Sequence, residues 1–89
     1  MSERYAAAPG VAWTVERRGV LLLGDGGRML AYPEAAIWDL LVRGNTLDQV
    51  SGKLSAIAGV PAEAARRLTG EWVERWSGEG LLTPGGSRG

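Results

Sequence analysis

Few side chains in this sequence can perform acid–base or nucleophilic chemistry. The 89 residues include neither histidine nor cysteine, which removes the usual nucleophile–base pairs and the usual zinc ligands. Carboxylates, hydroxyls, two tyrosines and Lys53 remain. Asp25 lies among the glycines of segment 24–27 (G-D-G-G), a composition typical of a turn. We therefore expect a non-catalytic protein with no metal and no cofactor.

The residues better suited to a function follow that turn and can bind another backbone. Arg28, Leu30 and Tyr32 alternate with Met29 and Ala31 along a short extended run. A strand at the edge of a sheet leaves N–H and C=O groups unpaired, and an extended peptide can pair with them while adjacent side chains select its sequence. We expect this open edge to be the binding surface.

Three short strands are predicted to position that edge. Segment 11–17 alternates apolar and polar residues, the period of a half-buried strand, and segment 20–23 is a short apolar run. The glycines of 24–27 suit a tight hairpin turn. The sequence therefore predicts an antiparallel meander whose third strand covers 28–32.

Three helices are predicted to follow the strands. Pro33 suits the first turn of a helix, and Gly44 suits its end. Thr46 and Gln49 form a T-x-x-Q capping box at the start of a second helix, which Gly59 ends. The third helix opens at Pro61.

The third helix is predicted to run to about residue 77 and to carry one apolar stripe. The stripe consists of Ala65, Leu68, Trp72 and Trp76. Three strands followed by three helices predict an α+β domain with a winged helix-turn-helix-like arrangement. We expect the domain to cover 11–82, with a flexible arm at 1–10 and a disordered tail at 83–89.

Composition restricts the partners of this domain. Ten basic residues balance ten acidic ones, so net charge does not favour nucleic acid. No apolar run approaches the roughly 20 residues that span a bilayer, and the first residues lack the long apolar centre of a secretory signal. We expect a cytoplasmic protein that binds neither membrane nor nucleic acid.

Two alternative functions stay open from the residues alone. A helix-turn-helix with Arg66 and Arg67 on its third helix could enter a DNA major groove. Glu63, Glu71 and Glu74 lie among those arginines, so the helix lacks the basic face of a typical DNA reader. The other alternative is a structural homodimer that pairs through the same strand edge.

The order and spacing of several motifs resemble a known family. After the strands come A-I-W-D-L-L, T-L-D-Q-V-S-G-K-L, V-P-A-E-A-A-R-R-L-T-G-E-W-V-E-R-W and a closing G-L-L. Over roughly 15–82 this pattern resembles the PqqD-like family of RiPP recognition elements, which are small winged-helix-like domains. The family often has an acidic residue where this chain has Leu68, which favours an apolar contact there.

The resemblance implies a peptide chaperone without enzymatic activity. Such a domain captures the leader of a ribosomally made precursor peptide and presents it to a maturation enzyme, either a radical SAM enzyme or a leader peptidase, in RiPP or quinone-cofactor biosynthesis. The leader adds as a strand beside the third strand, in a cleft closed by the third helix. Carried over to this chain, the peptide-binding residues are Arg28, Met29, Leu30, Ala31 and Tyr32 from the strand and Ala64, Arg67, Leu68 and Trp72 from the helix.

Overall fold

Three antiparallel strands followed by three helices form the centre of the fold, which confirms the predicted α+β architecture. The computed structural model describes residues 3–23 and 27–85. The elements in chain order are β1 (Arg4–Ala7), β2 (Ala12–Glu16), β3 (Gly19–Leu23), β4 (Arg28–Leu30), α1 (Glu34–Val42), α2 (Leu47–Ala58), α3 (Ala62–Gly78) and β5 (Leu82–Gly85). Asp25 and the centre of the predicted hairpin turn lie outside the described residues, as do 1–2 and 86–89.

The central sheet has the order β2–β3–β4. Val20 pairs with Leu30, and both side chains are buried against the helices with Leu22. Leu21 pairs with Met29 on the opposite, outward face. Strand alternation predicts two such faces, and the position of the helices decides which one is buried.

Gly19 is required where β3 begins. A Cβ placed there would lie 1.9 Å from the carbonyl oxygen of Leu30 on β4. Any side chain at this position would push the two strands apart, so the close β3–β4 approach depends on glycine.

The two ends of the domain form a second, two-stranded sheet in which β1 pairs antiparallel with β5. The predicted flexible arm is therefore wrong for Arg4–Ala7, and the predicted disordered tail is wrong for residues 83–85. Backbone pairing explains the difference, because it satisfies N–H and C=O groups of both segments, and Tyr5 packs against the core. The N–H of Leu47 also donates to the carbonyl of Glu3 (3.0 Å), which fastens the arm to α2.

The helices begin and end where local signals predict. The Gln49 N–H donates to the Thr46 hydroxyl (3.1 Å), and the Thr46 N–H donates to the Gln49 side chain (2.9 Å). This completes the predicted capping box. Gly59 ends α2 in the left-handed conformation with φ +69°, where a side chain would be strained.

Tryptophan rings fill the centre of the core. Trp38 is fully buried, and its ring meets those of Trp13 and Trp76 edge-on, with centroids 5.9 and 5.3 Å apart. Helix α3 contributes four buried residues, which are Ala65, Thr69, Val73 and Trp76. The predicted apolar stripe of α3 is therefore displaced from the face that is buried, since Leu68 and Trp72 are only half-buried.

Candidate functional site

The open side of β4 is the first part of the candidate site. Strand β4 is an outer strand, and no other strand in the described chain pairs with its free side. The Leu30 carbonyl lies against Gly19 and so points toward β3. The N–H and C=O groups of successive residues point alternately to the two sides of an antiparallel strand. The N–H and C=O of Met29 therefore point away from β3, toward the open side of β4. We call this open side the β4 edge.

The β4 edge is shorter than the sequence predicts. Strand β4 ends at Leu30, and the carbonyl of Ala31 accepts a hydrogen bond from the N–H of Ala35 (2.8 Å) as α1 begins. Tyr32 also lies outside the strand, where its exposed side chain lines a hollow with Ile57. The predicted strand 28–32 is therefore wrong at its last two residues, because the chain is already turning into a helix.

Leu30 does not have the position predicted for a peptide anchor. Its side chain is only 3 % exposed and belongs to the core beside Val20 and Leu22. An added peptide could pair with the strand here but would find little of the leucine side chain to contact. The structure corrects this assignment, because the helices cover the sheet face that carries Val20, Leu22 and Leu30.

One side of α3 supplies the second part of the site. Leu68, Trp72 and Glu79 are separated by four and seven residues, so they lie along one side of the helix and its first following residue. Ala64 lies one turn before Leu68 on the same side. Leu68 and Trp72 are half-buried and leave apolar surface exposed. We call these four residues the α3 row.

An ion pair joins the β4 edge to the α3 row. Arg28 Nη2 lies 2.6 Å from Glu79 Oε1, and Arg28 Nη1 lies 3.4 Å from Glu79 Oε2. Arg28 pairs with Leu22 in the sheet, so its side chain projects from the same face as Leu22, which is the face that the helices cover. This ion pair brings the first residue of β4 to the C-terminal end of the α3 row. The cleft between the strand and Leu68 and Trp72 stays a prediction.

A second arginine, Arg75 of α3, lies near the Arg28–Glu79 ion pair. The Arg75 guanidinium lies 4.9 Å from the centre of the Trp72 ring, within the range of a cation–π interaction. The hydrogen bond from Arg28 lowers the pKa of Glu79, and the positive charges of Arg28 and Arg75 lower it further. The same hydrogen bond raises the pKa of Arg28.

Sequence reasoning missed Arg75 and Glu79 and placed Arg67 in the cleft. The spacing of Arg75 and Glu79, four residues apart, is a recognisable helix-pair signal. The link from Glu79 to Arg28 crosses 51 residues and has no local signal. Arg67 is exposed and lines a hollow with Tyr5. That hollow contains none of the β4 residues with which Arg67 is predicted to form the cleft.

Neither a metal-binding cluster nor a membrane-spanning helix is found within residues 3–23 and 27–85. Within these ranges no group of three or more acidic residues is placed to hold a metal ion. None of the helices described is long and apolar enough to cross a membrane. No family model matches the chain, and neither a curated protein nor a solved structure matches it.

Proposed function

We propose that this chain is a non-catalytic peptide-binding protein. It captures the leader segment of a ribosomally made precursor peptide as an added strand on the β4 edge and presents the peptide to a separate maturation enzyme, a radical SAM enzyme or a leader peptidase. The observation that carries the proposal is the open side of β4, where the N–H and C=O of Met29 have no partner strand among the described residues.

Backbone pairing gives the peptide its position on the β4 edge. A peptide residue opposite Met29 can exchange two N–H···O=C bonds with it, as in any antiparallel pair. Each bond contributes about 0.5–1.5 kcal/mol net, because both partners leave water to form it. These bonds favour an extended segment without selecting its sequence.

Side chains of the peptide supply the selection. Residues on either side of the one opposite Met29 point toward the helices, because side chains alternate along a strand. The apolar partners that we propose for them are Leu68 and Trp72, which are half-buried. Full burial of one leucine or valine side chain contributes about 1.5–3 kcal/mol, so one or two apolar leader residues are sufficient to favour this cleft.

The test is a binding titration with a synthetic leader. The probe is the leader of the precursor peptide encoded beside this gene, labelled with fluorescein and followed by fluorescence anisotropy. We expect saturable binding, together with slower hydrogen exchange of the Met29 amide in the complex. Methylation of one backbone nitrogen of the leader at a time should weaken binding at every second position only, because alternate N–H groups of an added strand point to β4. A leader that does not bind, or one that binds with no effect on Met29, would refute the proposal.

The contacts of the arginines weigh against the DNA-binding alternative. Arg66 lies 3.3 Å from the Asp48 carboxylate, and Glu63, Glu71 and Glu74 share the exposed surface of α3. Random duplex DNA should therefore give no salt-dependent shift. The homodimer alternative uses the same edge, and sedimentation with and without leader separates it, because leader binding would dissociate such a dimer.

A further inference from the structure

A cluster of charged side chains lies where the β4 edge meets the end of α3. Arg28, Glu79 and Arg75 follow one another from strand to helix, and Trp72 lies under the Arg75 guanidinium. The side chains of Arg28 and Glu79 are 46 % and 40 % exposed. We call the three charged residues the Arg–Glu–Arg cluster. It carries two positive charges and one negative charge at an accessible position.

The cluster retains capacity for a second carboxylate. A guanidinium has five N–H donors, and Glu79 accepts from two nitrogens of Arg28. Arg75 approaches Glu79 closely enough to affect its pKa, but it forms no ion pair within 4.0 Å among the described residues. The three residues of the cluster together carry one excess positive charge, which favours an acidic partner over a basic one.

The register of an added strand fixes which peptide residue reaches this cluster. Residues of the peptide opposite Arg28 and Leu30 point toward the helices, and the residue opposite Met29 points away. The side chain opposite Arg28 lies beside the Arg–Glu–Arg cluster. The side chain opposite Leu30 is two residues away, about 7 Å along the added strand.

We propose that the cleft selects leader strands in which an apolar residue is followed two positions later by Asp or Glu. This order assumes that the peptide runs antiparallel to β4. Its residue opposite Met29 then forms hydrogen bonds with both the N–H and the C=O of Met29. This inference rests on the proposed function and specifies its substrate class. The apolar residue contacts Leu68 and Trp72, and the carboxylate accepts hydrogen bonds from the arginines of the cluster.

The experiment is a selection from displayed random decapeptides on the immobilised full chain. We expect enrichment of the apolar–x–acidic pattern. The most enriched peptide and its analogue with the acidic residue changed to the corresponding amide are then compared by fluorescence anisotropy. The amide analogue should bind about fivefold more weakly, the effect of ~1 kcal/mol from a partly exposed charge pair.

Matched arginine variants assign the effect to the cluster. Arg75→Gln should abolish most of the difference between the acidic peptide and its amide analogue, and Arg75→Lys should retain it. Arg67→Gln removes an equal charge about two helical turns, roughly 12 Å, from Arg75 and should leave the difference unchanged. Circular dichroism confirms that each variant is folded.

The outcomes separate this inference from the proposed function. Peptides that bind the β4 edge without an acidic preference, or a preference unchanged in Arg75→Gln, would overturn the inference alone and leave Arg28–Glu79 as a structural ion pair. If no displayed peptide is enriched and the synthetic leader also fails to bind, both are overturned. Enrichment of an acidic–x–apolar order would refute the antiparallel assignment.

Discussion

Replacing Met29 with proline should weaken peptide binding strongly while leaving the fold largely intact. The outward N–H of Met29 takes no part in the β3–β4 pairing, because the adjacent Leu30 carbonyl is the one that points to β3. Proline lacks this N–H, and outer strands tolerate proline where the N–H faces away from the sheet. The Met29 side chain is 47 % exposed, so its loss costs little burial.

The expected loss of affinity follows from the missing donor. A bound leader would lose one hydrogen bond and leave a partly buried carbonyl without a partner, which costs about 1–3 kcal/mol. A loss of ~2 kcal/mol weakens binding roughly thirtyfold. The free energy of unfolding should fall by only about 1 kcal/mol, since mainly side-chain contacts and strand propensity change.

Two control variants isolate the backbone effect. Met29→Ala removes the same side chain but retains the N–H, so its affinity should stay within about threefold of the original protein. Leu30→Pro removes an N–H directed toward β3 and should lower the free energy of unfolding by ~3 kcal/mol or more. Affinity is measured by anisotropy and stability by urea denaturation. Equal affinities of folded Met29→Pro and Met29→Ala would refute the β4 edge as the binding surface.

Three further predictions concern the fold and its charges. Gly19→Ala should lower the free energy of unfolding by more than about 2 kcal/mol in urea, because a Cβ would overlap the Leu30 carbonyl; an unchanged midpoint would contradict the close approach of β3 and β4. Thr69→Val should raise the free energy of unfolding by about 0.5–1 kcal/mol, because the buried hydroxyl has no hydrogen-bond partner among the described residues, and a loss of stability would show that this hydroxyl is satisfied. The lowered pKa of Glu79 means that its pairing with Arg28 stabilises the fold above the ordinary glutamate pKa of about 4.3 and is lost as the pH falls through the lower folded value. An NMR titration of the Glu79 carboxyl measures this directly, and a midpoint at or above the ordinary value would refute the ion pair.

The sequence predicts best those features whose cause is local. The capping box of Thr46 and Gln49 depends on two side chains three residues apart, and the structure confirms both of its hydrogen bonds. The end of α2 at Gly59 depends on one backbone conformation that glycine adopts without strain. Strand alternation likewise predicts β2, because neighbouring side chains must point to opposite faces, and a short apolar run predicts β3.

Tertiary structure decides which of several locally equivalent arrangements occurs. Alternation places Leu30 and Met29 on opposite faces, but only the position of the helices buries Leu30 and leaves Met29 accessible. The helical pattern of α3 is compatible with a stripe through Leu68 or through Thr69, and packing against α2 and α1 selects the latter.

The sequence by itself therefore determined the three strands, the three helices and the third strand as the candidate binding edge. Only the tertiary structure paired β1 with β5 and joined Arg28 to Glu79. The physical reason is sequence separation: caps and turns form between neighbouring residues, whereas these contacts join distant segments that meet only once the core has formed.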